Sequence, residues 1–230
     1  MQSEVITINP VFVAAHELKA PLALMRQLAL NLDPTDPEMT KNCQQKLISV
    51  SERTLKQMND LSKLARLDDA MFEMEPVAVR GICEEVVAEL KLLFSSEAKS
   101  LNLKYTNKNR LVVANRDLLH SIIYNFCINA LRYSEPSSVS NLLVVGNKDK
   151  VKISVRDFGP ALPSDIYQKI TEGNLSSPAK ISFRPDSSGL GLFIATKFAR
   201  YMKADVGAIR HRDGTSFFVE LPVSRQGELF

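Results

Sequence analysis

The run Asn125-Phe126-Cys127-Ile128-Asn129-Ala130-Leu131-Arg132-Tyr133-Ser134 decides the reading of this chain. It closes a stretch, Asp117–Tyr133, whose apolar residues recur at helical spacing. On a helix Asn125 and Asn129 stand one turn apart on the same face, and Arg132 and Tyr133 carry that edge through another turn. Two amides beside a cation make an unusual core face. An amide oxygen suits a hard magnesium ion that keeps most of its waters and bridges phosphates, and a guanidinium offers its fork to phosphate oxygens. Two asparagines that cross-link buried backbone would leave the same trace, so the residues on either side have to be read with it.

Downstream, Asp157-Phe158-Gly159-Pro160 ends a strand with Val151, Ile153 and Val155 on one face, which sets a carboxylate at the mouth of an apolar layer. The amino group of an adenine is one donor for such an Asp, and Gly159 would let the backbone approach the ring; an Asp-Xaa-Gly turn is the plainer alternative. Further on, Ser188-Gly189-Leu190-Gly191-Leu192 opens a helix, where amides outside the helical ladder cradle phosphate oxygens. Lys180 and Arg184 precede it, either closing on the outer phosphate or standing as solvated loop charges.

Upstream, Ala15, Leu18, Leu22, Met25, Ala29 and Leu32 alternate steps of three and four, a heptad seam on one helix. Asp33-Pro34-Thr35-Asp36-Pro37 stops it, with Asp36 placed to cap a second helix, Pro37 in its first position and Glu38 facing its positive end. That helix runs to about Asp69 and carries Leu47, Val50, Thr54, Met58, Leu61 and Ala65. Residues 9–69 therefore read as an antiparallel hairpin, and pairing with a second copy as a four-helix bundle is the simplest way to bury both seams, which predicts a homodimer. His16 follows Ala15 and is turned about 100° off the seam toward solvent. Its neutral imidazole can attack an electrophilic phosphorus at neutral pH, and Glu17 beside it can orient the ring or take its proton. Pro21 deletes a helical hydrogen bond close by.

Between these motifs the patterning predicts a short strand over 72–76, a helix over 79–99, strands over 101–106 and 111–113, a hairpin with arms 142–146 and 151–156, and a short helix over 164–170. A helix over 189–202 and strands over 206–211 and 216–221 follow. The chain of 230 residues divides into a unit at 1–70 and a unit at 71–230. Lys and Arg number 29 against 26 Asp and Glu, a net charge of +3 that is too mild and too scattered for a nucleic-acid binder. Cys43, Cys83 and Cys127 show no paired spacing, which fits a reducing cytosol, and no stretch predicts membrane contact.

In this order the four motifs resemble the catalytic core of a two-component sensor histidine kinase. His16-Glu17-Leu18-Lys19-Ala20-Pro21-Leu22 is similar to its H box, Asn125 to Ser134 to its N box, Asp157-Phe158-Gly159-Pro160 to its first glycine box and Ser188 to Leu192 to its second. The resemblance covers residues 9 to 222. It implies an α+β chain: a dimerisation and phosphotransfer hairpin, then a two-layer α/β sandwich ATP-binding domain of the gyrase, Hsp90 and histidine-kinase type, with a lid over Gly159–Ser188. It further implies ATP and magnesium as cofactors, His16 as phosphoacceptor, Glu17 as its general base and Asn129 as the magnesium ligand. Asn125, Arg132, Tyr133, Asp157, Gly159, Gly189, Leu190, Gly191 and Leu192 would line the nucleotide. The partner would be the receiver domain of a response regulator, phosphorylated on an aspartate. The location would be the cytoplasm, for the chain alone or as the cytoplasmic part of a longer membrane-bound sensor.

Three departures qualify the match. Ala20 stands where the family has a Thr or Asn that positions a hydrolytic water, which predicts weak phosphatase activity. Ala161 replaces the second glycine of the first box. Ser187 replaces the leading glycine of the second, and Tyr167 and Phe183 are the lid's aromatic candidates. The alternative they support is a degenerate kinase-like scaffold for docking or phosphotransfer that binds nucleotide poorly. A gyrase-like ATPase without a phosphohistidine ranks below both, having no use for the hairpin.

Overall fold

The computed structural model describes residues 10–69, 71–106, 111–159, 162, 164–171 and 189–224. The chain forms two compact units that divide after Asp68.

The first unit contains helices α1 (Pro10–Leu30) and α2 (Pro37–Ala65), which pack on each other. The turn is built from short polar side chains. Asp33 Oδ1 accepts from Thr35 N and Oγ1 at 2.8 and 2.6 Å, and Thr40 Oγ1 donates to the Asp33 carbonyl at 2.6 Å. Asp36 caps α2 as expected, its Oδ1 accepting from Glu38 N at 3.1 Å and Met39 N at 2.9 Å, with Pro37 in the first helical position. Of the expected seam, Thr54 and Leu61 are buried and Leu18, Met25, Leu47 and Val50 half-buried, whereas Leu22, Ala29, Leu32, Met58 and Ala65 stay exposed within one chain; Leu28 and Cys43, off that seam, are buried as well. One chain thus covers part of the heptad stripe and leaves the rest outside. Thr54 tolerates burial because its Oγ1 bonds back to the Val50 carbonyl at 2.7 Å. The second helix ends at Ala65, and Leu67–Asp69 tighten into a 3-10 turn.

The second unit runs β1 (Glu75–Ala78), α3 (Val79–Ser96), β2 (Ser100–Tyr105), β3 (Leu111–Ala114), α4 (Arg116–Tyr133), β4 (Val139–Gly146), β5 (Lys150–Arg156), α5 (Ser164–Thr171), α6 (Leu190–Tyr201), β6 (Asp205–His211) and β7 (Gly214–Pro222). Five strands form a sheet in the order β2-β4-β5-β7-β6, antiparallel except for the β2–β4 pair. β1 and β3 make a separate antiparallel ribbon. Register puts Leu142 opposite Val155, Ile153 opposite Val219 and Val155 opposite Phe217, so one sheet face is continuously apolar and buried. The opposite face, with Lys152, Ser154, Arg156, Phe218 and Glu220, is half-exposed. On the buried face lies α4, whose residues from Leu118 to Leu131 are almost all buried. Ile82, Val86, Leu90 and Phe94 of α3, at successive turns, and Leu192, Ile194, Ala195 and Phe198 of α6 complete the layer. This is an α+β architecture with a mixed sheet and helices packed on it.

The strand expected at 72–76 begins only at Glu75. Phe72 and Glu73 are held by other partners: the Phe72 carbonyl accepts from Tyr201 Oη and the Glu73 carbonyl from Asn115 Nδ2. Of the segment between the glycine motifs, α5 is described and anchored by buried Leu162 and Ile170 and by an Arg210 Nη1 bond to Ser164 Oγ at 2.9 Å. Pro160, Ala161, Lys180, Phe183, Arg184, Ser187 and Ser188 lie outside the described residues. Cys43, Cys83 and Cys127 are free thiols, and no helix among the described residues is long and apolar enough to cross a membrane.

Candidate functional site

The centre of the second unit is where α4 meets the start of α6. The α4 helix begins under Asn115, whose Oδ1 accepts from Leu118 N at 3.1 Å, and it ends at Tyr133, just ahead of Pro136. Gly189 enters α6 at φ 69°, in the left-handed region where a side chain is strained, so the N-terminal position of α6 needs a glycine. Leu190 and Leu192 are buried and anchor this first turn in the core, so any contact they make with a ligand runs through their backbone. The helical ladder starts with Phe193 N on the Gly189 carbonyl, and helix geometry leaves the amides of the first turn outside it.

Asn125, Gly191, Tyr133 and Gly159 come together around this crossing. Asn125 is buried and its Nδ2 donates to the Ser121 carbonyl at 2.8 Å, while its Oδ1 faces Gly191: a Cβ there would lie 2.7 Å from it. A Cβ on Gly159 would overlap the Tyr133 carbonyl oxygen. Both glycines are therefore required by the protein's own close packing against the Asn125–Tyr133 run, which binds the two glycine motifs to the helix between them. The reading of Asn125 as a cross-link to backbone is correct for its nitrogen. Asn129, one turn further on, is half-exposed and bonds no described residue through its side chain. Arg132 and Tyr133 are also half-exposed at the same helix end, where Lys99 Nζ donates to the Leu131 carbonyl at 2.8 Å.

Asp157 is buried, and the turn alternative is present in the structure: its Oδ1 accepts from Gly159 N at 3.0 Å and from Thr215 N at 3.1 Å. Three residues that the sequence reading passed over build this corner. Ser134 Oγ accepts from Phe158 N at 3.2 Å and meets Ser140 Oγ at 3.3 Å. Thr215 supplies the second amide to Asp157, and Gly214, at φ 144°, packs where a Cβ would overlap the Asp157 carbonyl oxygen. Gly214 had a legible signal, as the glycine of a tight turn between two alternating strands. Arg156 flanks the corner, paired with Asp213 at 2.7 Å and lying 4.8 Å over the Phe158 ring. His211 Nε2 meets Ser216 Oγ at 2.8 Å, and burial, then the Arg156 charge, lower its pKa below 6.5. Burial raises the Cys83 thiol to about 12 and Cys127 well above its usual value, so both behave as inert core residues.

The donor set can be tested against a nucleotide and a metal. No group of three His, Cys, Asp or Glu side chains exists among the described residues that would hold a metal by itself. A magnesium ion that keeps its waters and arrives with phosphates needs only one or two protein oxygens, which suits the Asn129 amide, half-exposed and without a bond to any described residue. His16 and Glu17 lie in α1; their side chains are outside the described residues.

Residues 114–225 match the family model of histidine kinase-, DNA gyrase B- and HSP90-like ATPases. Along nearly its whole length it is also similar to proteins named as sensor histidine kinases. With the Probable sensor histidine kinase TcrY of Mycobacterium tuberculosis it shares 25% identity over 214 residues, 91% of this chain and 44% of that protein. The chain thus spans less than half the length of that relative. In structure it is similar to full-length ShkA in complex with AMPPNP, at TM-score 0.63 and 24% identity, covering 94% of this chain and 46% of that one. It is also similar to histidine kinase ThkA in complex with the response regulator protein TrrA, at TM-score 0.63 and 18% identity, covering 92% and 60%. At these identities the two structures speak for the fold.

Proposed function

We propose that this chain is the core of an ATP-dependent protein-histidine kinase that phosphorylates His16 from Mg-ATP and passes the phosphoryl group to an aspartate of a response regulator. One observation carries the reading: the Asn125–Tyr133 run is packed against both glycine motifs, through Gly191 on Asn125 Oδ1 and Gly159 on the Tyr133 carbonyl, so three segments far apart in sequence form one corner. Similarity to proteins named sensor histidine kinases supports it, as does likeness of fold to ShkA in complex with AMPPNP and to histidine kinase ThkA in complex with response regulator protein TrrA.

In this reading ATP binds at the corner, and its γ-phosphoryl is the group transferred. Asp157 holds the adenine amino group through its carboxylate. Asn125 lies with Arg132 and Tyr133 along the edge facing the nucleotide, and Arg132 offers its fork to the phosphates. Gly189, Leu190, Gly191 and Leu192 present first-turn backbone to phosphate oxygens, and Asn129 holds magnesium. The neutral imidazole of His16 attacks the γ-phosphorus in line. A phosphorus–nitrogen bond forms as the bridging oxygen–phosphorus bond breaks, ADP leaves with the electron pair, and Glu17 takes the ring proton. Positioning and charge neutralisation supply most of the barrier lowering. Two hairpins pair into a homodimeric four-helix bundle.

Incubation with labelled ATP and magnesium, followed by acid, tests the reading. Acid-labile label on the wild type and none on His16→Gln is expected; acid-stable label, or equal label on both, would sink it. A fluorescent ATP analogue that fails to saturate with magnesium would favour a nucleotide-free scaffold instead. At Ala20 a methyl group cannot orient water, so the half-life of the partner's phosphoaspartate should hardly change on adding this chain with ADP. Rapid loss of that phosphate would show that another residue positions the water.

A further inference from the structure

Two helix ends meet beside the candidate site. The α3 helix runs out at Ser96, and Ala98, at φ 52°, swings the chain round into β2. Ala98 N donates to the Ser95 carbonyl at 3.1 Å and Lys99 N to the Phe94 carbonyl at 2.9 Å, the paired bonds of a Schellman ending. An alanine sits in this left-handed position with strain, and so does Ser137, at φ 63°, in the loop that leaves α4. The two turns secure each other: Ser137 N donates to the Ala98 carbonyl at 2.9 Å, and Ser100 N to the Ser138 carbonyl at 3.1 Å. Lys99 stands between these two bonds. Its half-buried side chain crosses to α4, where Nζ donates to the Leu131 carbonyl at 2.8 Å.

That carbonyl is one of the last in α4, where the helix has no amide left to offer. Its neighbours are otherwise provided for. The Ala130 carbonyl accepts from Ser134 N at 3.0 Å, and the Tyr133 carbonyl lies against Gly159. At Ser134, ψ 148° turns the chain away before another amide comes round to Leu131. An ammonium there also opposes the negative end of the helix dipole. The Leu131 carbonyl and the Arg132 amide belong to one planar peptide, so fixing the oxygen fixes the plane from which Arg132 departs. Among the described residues no carboxylate pairs with Arg132 or with Lys99. We propose that Lys99 is a positioning residue for the nucleotide: its bond to the Leu131 carbonyl holds the last turn of α4 so that Arg132 stays aimed at the phosphates. The assignment rests on the kinase reading above.

A double-mutant cycle on nucleotide binding tests this, because a residue that acts through Arg132 has nothing to act on once that side chain is gone. The full chain is titrated with a fluorescent ATP analogue and magnesium. Lys99→Met keeps the stem and removes the charge and the donor. It should weaken binding about fivefold, the effect expected of one lost hydrogen bond at a helix end. In an Arg132→Ala background the same substitution should change the dissociation constant by less than about twofold. Lys99→Arg retains charge and donors and should bind within about twofold of the wild type. A lysine that merely stabilises the fold would weaken binding by the same factor in both backgrounds. That result overturns the assignment, as do unchanged binding in Lys99→Met and failure of Lys99→Arg to recover it. If Lys99→Met does not fold, Lys99→Gln, one bond short of the carbonyl, takes its place in the cycle under the same criteria. A wild type that does not saturate with the analogue overturns the kinase reading and this assignment together; a saturating wild type without coupling overturns the assignment alone.

Discussion

Gly159 and Gly191 show how a single missing methyl group can hold a site together. At Gly191 an added Cβ meets the side-chain oxygen of Asn125 at 2.7 Å, and Asn125 is tied to its own helix through the Ser121 carbonyl. The amide can yield by a few tenths of an ångström, at an overpacking cost of about 1–3 kcal/mol. At Gly159 the obstacle is the Tyr133 carbonyl, which is backbone and moves only with the end of α4. Gly159→Ala should therefore destabilise the second unit more than Gly191→Ala does, as thermal melts would report, and both should weaken the proposed nucleotide binding. The reverse order of melting temperatures would mean that the two helices are less rigidly joined than the glycines require.

Elements differ in how much of them the sequence reveals. Asp36-Pro37-Glu38 announces the start of α2 because an N-cap is a local bargain, made between one carboxylate and two amides within three residues. The β4–β5 hairpin is equally local, its turn closed by Asn147 Oδ1 on Asp149 N and Lys150 N. Non-local pairings leave no such mark. The parallel β2–β4 pair and the separate β1–β3 ribbon join segments whose patterns would suit many neighbours. The late start of β1 has the same origin, since the partners that hold Phe72 and Glu73 lie at positions 201 and 115. In the site, residue types and spacing on α4 were readable, because a helix fixes what lies one turn away. The contributions of Ser134 and Thr215 were not, since each acts through contacts with the Asp157–Gly159 corner that only the folded sheet creates.

At the scale of the molecule the hairpin needs a cover. One chain leaves Leu22 at 56%, Leu30 at 71%, Ile48 at 56% and Leu55 at 58% exposed on two helices that otherwise pack together. Fully burying each such side chain contributes about 1.5–3 kcal/mol, enough in sum to drive association, and a second copy offers the same stripe by symmetry. The wild type should therefore run as a dimer by light scattering at micromolar concentration. Leu22→Asp with Leu55→Asp should run as a monomer, because each carboxylate would have to be desolvated or face its symmetry mate. Both positions are exposed in a single chain, so helicity measured by circular dichroism should be retained. A monomeric wild type would remove the bundle from the proposal, and a double variant that remains dimeric would move the interface elsewhere. The dimer also bears on chemistry: only when two hairpins pair can a phosphoryl donor on one chain meet His16 of the other. Mixing a His16→Gln chain with one carrying Asn129→Ala should then restore labelling if transfer crosses between chains, and should not if it stays within one.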